Sequence, residues 1–141
     1  MNKRKVQSVI FYCDAERRKH FLLLKVNKDR GLFWQNSTGS VDSGEDYLAA
    51  SKREAIEETA ITESNIESIT QSTLEFEFHD RWGKDVIEKV FFIKAKSKWD
   101  ITLDPSEHTD FKWVIDQEIS KDSVHFESNS QALFKCMELQ C

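Results

Sequence analysis

The chain has 141 residues, 39% hydrophobic and 11% aromatic, which suits one globular domain spanning residues 1–141 around one core. Its formal net charge of −5 disfavours a surface that tracks a nucleic-acid backbone, although bound cations could still draw in a small anionic substrate. No run of 18 apolar residues occurs, so no membrane-spanning helix is expected.

The opening MNKRKVQSVIFYCD has basic residues and a short apolar stretch followed by charge, and it reads as a first strand, not a secretory leader. Residues 6–12 and 20–26 read as two strands of a hairpin across a charged turn at 16–19. A polar loop at 27–31 leads to an aromatic-rich segment at 32–35, where Trp34 is read as core, with base stacking as the alternative. Residues 39–61 are taken separately below. After a polar turn at 62–65, residues 66–78 alternate Leu74, Phe76 and Phe78 with Glu75 and Glu77. That strand and a second at 86–95 form a predicted hairpin around the loop HDRWGKD. Residues 99–103 are expected to be an edge segment, 104–108 a turn and 111–114 a short strand. A polar connection at 116–124 precedes a closing amphipathic helix at 126–139. Leu133, Cys136, Met137 and Leu139 would form its apolar side, and Ser128 or Ser130 its cap. Cys13, Cys136 and Cys141 are odd in number and lack metal-binding spacing, which predicts reduced thiols, a cytoplasmic setting and no zinc site.

The stretch GSVDSGEDYLAASKREAIEETAI, residues 39–61, carries the chemistry. Ser43 and Asp46 resemble a capping box, and residues 46–59 hold no Gly or Pro, so a helix is predicted there. At about 100° per residue, Glu54, Glu57 and Glu58 share one face, with Ala49, Ile56 and Ala60 roughly opposite and free to pack on a sheet. The plain reading of three crowded carboxylates is a solvated surface that repels itself. The alternative is a site for a hard divalent cation, which takes oxygen ligands and substrate phosphates. Glu54 and Glu58 are then the leading ligands, Glu57 a third, and Arg53 is placed to orient Glu57 across one turn.

The spacing of Gly39, Glu45, Arg53, Glu54, Ala55, Glu57, Glu58, Ala60 and Ile61 resembles the Nudix box. One position departs from it: Ala60 stands where that family usually has a Gly closing the helix. The resemblance implies the Nudix fold, an α/β architecture with a mixed sheet sandwiched between helices. It also implies a Mg²⁺-dependent pyrophosphohydrolase, with Mn²⁺ as a substitute, and adds the Gly39 carbonyl as a metal ligand. The STGS entry to the box and the segment SEHTDFKWV further resemble the dihydroneopterin triphosphate pyrophosphatase branch of that family. Carried over by motif, Glu107 becomes a metal ligand and Thr38 a substrate contact, while His108 is read as structural or solvent-facing. The implied substrate is a small nucleotide or pterin triphosphate such as dihydroneopterin triphosphate or dGTP, cleaved to the monophosphate and pyrophosphate. A nucleoside diphosphate sugar, an RNA 5′ end and a non-catalytic nucleotide-binding sensor are the alternatives, and a homodimer is left open.

Overall fold

A computed structural model describes residues 3–141. Nine elements follow in order: β1 (Lys3–Cys13), β2 (Lys19–Val26), β3 (Trp34–Gln35), β4 (Ser37–Ser40), α1 (Tyr47–Thr59), β5 (Ile66–His79), β6 (Asp85–Ala95), β7 (His108–Ile115) and α2 (Glu127–Met137). All strands join one sheet, with β3-β2-β1-β6-β5 as its main path, β4 pairing β1 and β7 pairing β2. The β1–β6 pairing is parallel and every other pairing antiparallel, so the sheet is mixed.

β1 lines up with β6 from Lys3 to Tyr12, and its other edge is divided between β4 at residues 5–8 and β2 at residues 10–13. β4 starts at that split and runs back toward Lys5, and beyond it Arg4 holds the turn into α1 by donating to the Asp42 and Glu45 carbonyls. Side chains alternate across β1 and β2. Val9, Phe11, Phe21 and Leu23 join Leu133 and Cys136 of α2 in one buried cluster. Ile10, Leu22 and Leu24 join Ala55 of α1 and the adjoining Ile61 in a second. A third, of Val6, Ala50 and Phe91, lies under the start of α1. Each Leu or Phe buried in this way contributes about 2–3 kcal/mol by removal of apolar surface from water. The expected α/β sandwich, a mixed sheet between two helices, is what forms.

Both predicted hairpins are present. The segment 99–103 is not a strand: Trp99, Ile101 and Leu103 pack on the second cluster, and the Trp99 indole N–H donates to the Thr59 carbonyl at 2.8 Å. The apolar side chains that suggested a strand serve instead as a lid over the end of α1. Helix α2 is preceded by Phe126 with no side-chain cap, and Ser130 donates to the Glu127 carbonyl, so neither serine caps it. Leu139 falls beyond the helix and is exposed. Trp34 is half-buried against the first cluster, and the Lys112 ammonium lies 4.2 Å from its ring centre, so its packing is that of core with a cationic cover.

The cysteine reading is corrected. Cys13 at the end of β1 and Cys141 at the chain end form a disulfide, and buried Cys136 is the free thiol. Their separation of 128 residues is closed only by α2 folding back along the sheet, which spacing alone does not reveal. The cytoplasmic expectation loses the support it drew from reduced thiols. Among the described residues no helix is long and apolar enough to cross a membrane.

Candidate active site

Helix α1 is capped by Asp46, not Ser43: the Asp46 carboxylate accepts from the Ala49 N–H at 2.7 Å. The helix ends at Ala60, which is left-handed at φ 60° and donates its N–H to the Ile56 carbonyl at 2.9 Å. The usual Gly position thus keeps its conformation with an Ala in place, at a cost of about 1 kcal/mol. The inward face also differs from expectation. Ala50, Ser51, Ala55, Glu58 and Thr59 are buried, while Ala49, Ile56 and Ala60 are exposed. Small residues bring the helix close to the sheet, close enough for the Ser51 and Ser8 hydroxyls to meet at 2.8 Å. That rotation turns Glu58 inward.

Glu58 is 1% exposed, and the Ser37 hydroxyl on β4 donates to its Oε2. Burial is the main cause that raises its carboxyl well above the ordinary range, and the nearby charges of Glu54 and Glu107 add to it. Glu54 is raised as well, by burial first, against the opposing pull of Arg53. Gly39 explains how β4 approaches so closely: a Cβ there would overlap the Glu54 carboxyl.

Arg53 organises the outer side of the cluster. Its Nε and Nη2 donate to Glu45 at 2.8 and 3.0 Å, a bidentate pair, and Nη2 also donates to the Ser40 carbonyl at 2.9 Å. Its Nη1 donates to Glu54 at 2.9 Å and to Glu57 at 3.2 Å. The expected Arg53–Glu57 pair therefore exists, but Glu45 is the principal partner. That guanidinium holds the Glu45 carboxyl down at about 2. Glu57 stays exposed on the helix surface.

Glu107 arrives from the loop before β7. Asp104 accepts from the Ser106 N–H and hydroxyl, and the Asp104 carbonyl accepts from the Glu107 and His108 N–H groups, forming a tight turn. The Glu107 carbonyl accepts from Asn27, which pins the loop to the end of β2. As a result, ligand atoms of Glu58, Glu107 and His108 lie within 4.8 Å of one another. His108 is buried, not solvent-facing, with Nε2 3.8 Å from Glu58 Oε1. Burial, with the charge of Arg30, lowers its pKa to about 4, so the imidazole is neutral at neutral pH.

The structure thus brings Glu54, Glu58 and Glu107 into mutual electrostatic contact beside Gly39, and leaves Glu57 at the rim. Thr38 lies between Ser37 and Gly39, both of which meet α1, so strand alternation turns it to the opposite face of the sheet. There its hydroxyl accepts from Gln35 Nε2 at 3.4 Å. Ser37, His108 and the exposed Arg30 are additions that sequence reading did not assign to the site. Only the adjacency of His108 to Glu107 carried any signal.

The donor set fits a hard divalent cation: clustered carboxylate oxygens, one of them buried without a Lys or Arg partner among the described residues, and a backbone approach that only Gly allows. Bound there, a cation would relieve the burial cost borne by Glu58.

No curated protein matches the chain. Solved structures do. An Ap4A hydrolase from C. elegans is 26% identical at a TM-score of 0.75, with 96% of this chain and 97% of that one covered. The E. coli dihydroneopterin triphosphate pyrophosphohydrolase is 24% identical at 0.76, with 96% of each chain covered. A MutT protein from Methanosarcina mazei is 23% identical at 0.73, with 97% of this chain and 94% of that one covered. With the NUDIX domain model matching residues 3–133, the chain belongs to the Nudix family.

Proposed function

We propose that this chain is a divalent-metal-dependent Nudix pyrophosphohydrolase. It acts on phosphoric anhydride bonds, and its substrate is a purine-like or pterin triphosphate, cleaved to the monophosphate and pyrophosphate. The observation that carries this reading is the convergence of Glu58 on α1 with Glu107 from a distant loop, 49 positions later, at one buried point beside Glu54. A solvated Glu face would not bury a carboxylate or recruit another from outside the helix.

In this reading Glu54, Glu58 and Glu107, with the Gly39 carbonyl and Glu57 at the rim, would hold a divalent cation such as Mg²⁺ or Mn²⁺. When bound, the cation neutralises phosphate charge and lowers the pKa of a coordinated water. The remaining work falls to the chain. Arg53 fixes Glu54 and Glu57 in position, and Ser37 fixes the Glu58 carboxylate. Thr38, the substrate contact that the family motif implies, faces the other side of the sheet from the carboxylates, beside Gln35.

Dihydroneopterin triphosphate and Ap4A, named for two of the structural neighbours, are both polyphosphates, and this shared chemistry suits the site. Pyrophosphate and phosphate release measured with and without Mg²⁺ tests the reading. The substrates are dihydroneopterin triphosphate, the deoxynucleoside triphosphates, Ap4A and nucleoside diphosphate sugars. Metal-dependent pyrophosphate release from a triphosphate is expected. Tight nucleotide binding with no turnover on any of them would make the protein a sensor module instead.

A further inference from the structure

We propose that His108 is a nitrogen ligand of the cation held by Glu58 and Glu107, which makes this centre select Mn²⁺ or Co²⁺ over Mg²⁺. The inference rests on the reading of Glu58 and Glu107 as metal ligands and extends it to a residue that the Nudix box does not contain.

Three observations carry it. The His108 side chain is 1% exposed, and among the described residues neither ring nitrogen has a hydrogen-bond partner. Buried polar atoms are nearly always paired, and an imidazole with both nitrogens unpaired bears a desolvation cost with no return within the protein. The ring is also aimed at the carboxylates: Nε2 lies 3.8 Å from Glu58 Oε1, and a Glu107 oxygen completes a group spanning at most 4.8 Å. Ligands about 2.1 Å from one cation stand roughly 3–4.2 Å apart in octahedral geometry, so small side-chain adjustments bring all three onto a single ion. Finally, the position is fixed by backbone. The His108 N–H donates to the Asp104 carbonyl at 2.9 Å, and β7 begins at His108, where it pairs with Val26.

The chemical consequence follows from the donor type. Mg²⁺ prefers an all-oxygen octahedron and gives up water reluctantly. An imidazole beside two carboxylates favours first-row transition ions, whose affinity rises from Mn²⁺ to Co²⁺. A histidine kept only for packing would confer no such preference.

The test uses the full chain, stripped of metal with EDTA and given one equivalent of Mn²⁺. Electron spin echo envelope modulation reads nitrogen coupled to the bound ion, and calorimetry gives the Kd for Mn²⁺ and Mg²⁺. The wild type should show coupling to one imidazole and bind Mn²⁺ at least about a hundredfold more tightly than Mg²⁺. His108→Gln should lose the coupling, weaken Mn²⁺ at least roughly tenfold and leave Mg²⁺ within about threefold, so the preference collapses. His79→Asn/His125→Asn, which removes two exposed imidazoles, should keep the coupling. Absence of nitrogen coupling in the wild type overturns the proposal even if His108→Gln does not fold. Unchanged selectivity in a folded His108→Gln overturns it too. Glu58→Gln separates the two levels. If it abolishes Mn²⁺ binding while the wild type shows no nitrogen, the carboxylate site stands and the His108 assignment falls. If it leaves Mn²⁺ binding intact, both fall.

Discussion

Gly39→Ala isolates the contact on which the site geometry turns. Gly39 is not among the glycines with positive φ, so an added methyl causes no backbone strain, and its whole effect is volume. The ideal Cβ would overlap the Glu54 carboxyl group. That group cannot simply swing aside, because its side chain is 12% exposed and Arg53 Nη1 holds it at 2.9 Å. Either β4 retreats from α1 or the carboxylate leaves its position. Overpacking of this kind costs about 1–3 kcal/mol of stability. The larger loss should be catalytic: displacing one charged group from a transition-state site is worth about 3 kcal/mol, on the order of a hundredfold in kcat. Gly83→Ala is the control. Gly83 has φ 77° with no atom near its Cβ position, so it should lose about 1 kcal/mol of stability and no activity. Thermal melts and pyrophosphate release across a Mg²⁺ series read both effects. Wild-type turnover in Gly39→Ala would show that Glu54 does not act from the position observed.

Glu58→Gln should lower kcat about a hundredfold or more while the chain stays folded, and wild-type turnover at saturating Mg²⁺ would remove Glu58 from the ligand set. Glu107→Gln should act mainly on kcat, with a stability change below about 0.5 kcal/mol; equal activity would return Glu107 to an ordinary loop carboxylate. Ala60→Gly should stabilise the protein by about 1 kcal/mol, since residue 60 is left-handed, and a lower Tm would refute that account. Glu88, buried and accepting from Gln7 at 2.9 Å, has its carboxyl raised by burial. The folded state therefore holds a proton that the unfolded state has released, so this group costs stability progressively as pH rises from the ordinary carboxylate range through its raised value. The advantage of Glu88→Gln over wild type should grow as pH rises above the ordinary carboxylate range in denaturant titrations, and parallel curves would contradict it.

The sheet was legible because its strands alternate or run apolar, and the box was legible because charged residues at fixed offsets are rare by chance. What escaped reading depended on contacts distant in sequence. Ser43 looked like the cap of α1, but Asp46 one turn later occupies that place, and boundary residues of similar type compete closely. The inward face of α1 was assigned to Ile56, whose apolar character is outweighed by the polar contacts of Ser51 and Glu58 with β1 and β4. A helix phased by hydrophobicity alone would expose the buried glutamate on which the site depends. Trp99 read as part of a strand because nothing nearby in sequence announces the Thr59 carbonyl it bonds. His108 was open to a solvent-facing reading because the carboxylate it approaches, Glu58, lies 50 positions away.

The box therefore contains two kinds of carboxylate, and the difference between them is the functional point. Glu45 is paired twice with Arg53 and is held ionised at about 2. Glu58 has no Lys or Arg within ion-pair distance among the described residues and is pushed the other way by burial. One guanidinium shared among Glu45, Glu54 and Glu57 leaves the inner carboxyls of Glu58 and Glu107 without an ion-pair partner among the described Lys and Arg residues. A protein under selection for stability alone would replace such a group, since an unpaired buried charge is among the most costly features a core can carry. That cost is offset if the missing positive charge comes from outside the chain. In the proposed reading Arg53 does more than brace a helix: its bidentate pair with Glu45 takes up most of the guanidinium's capacity, and Glu54, Glu58 and Glu107 would share the incoming cation beside Gly39.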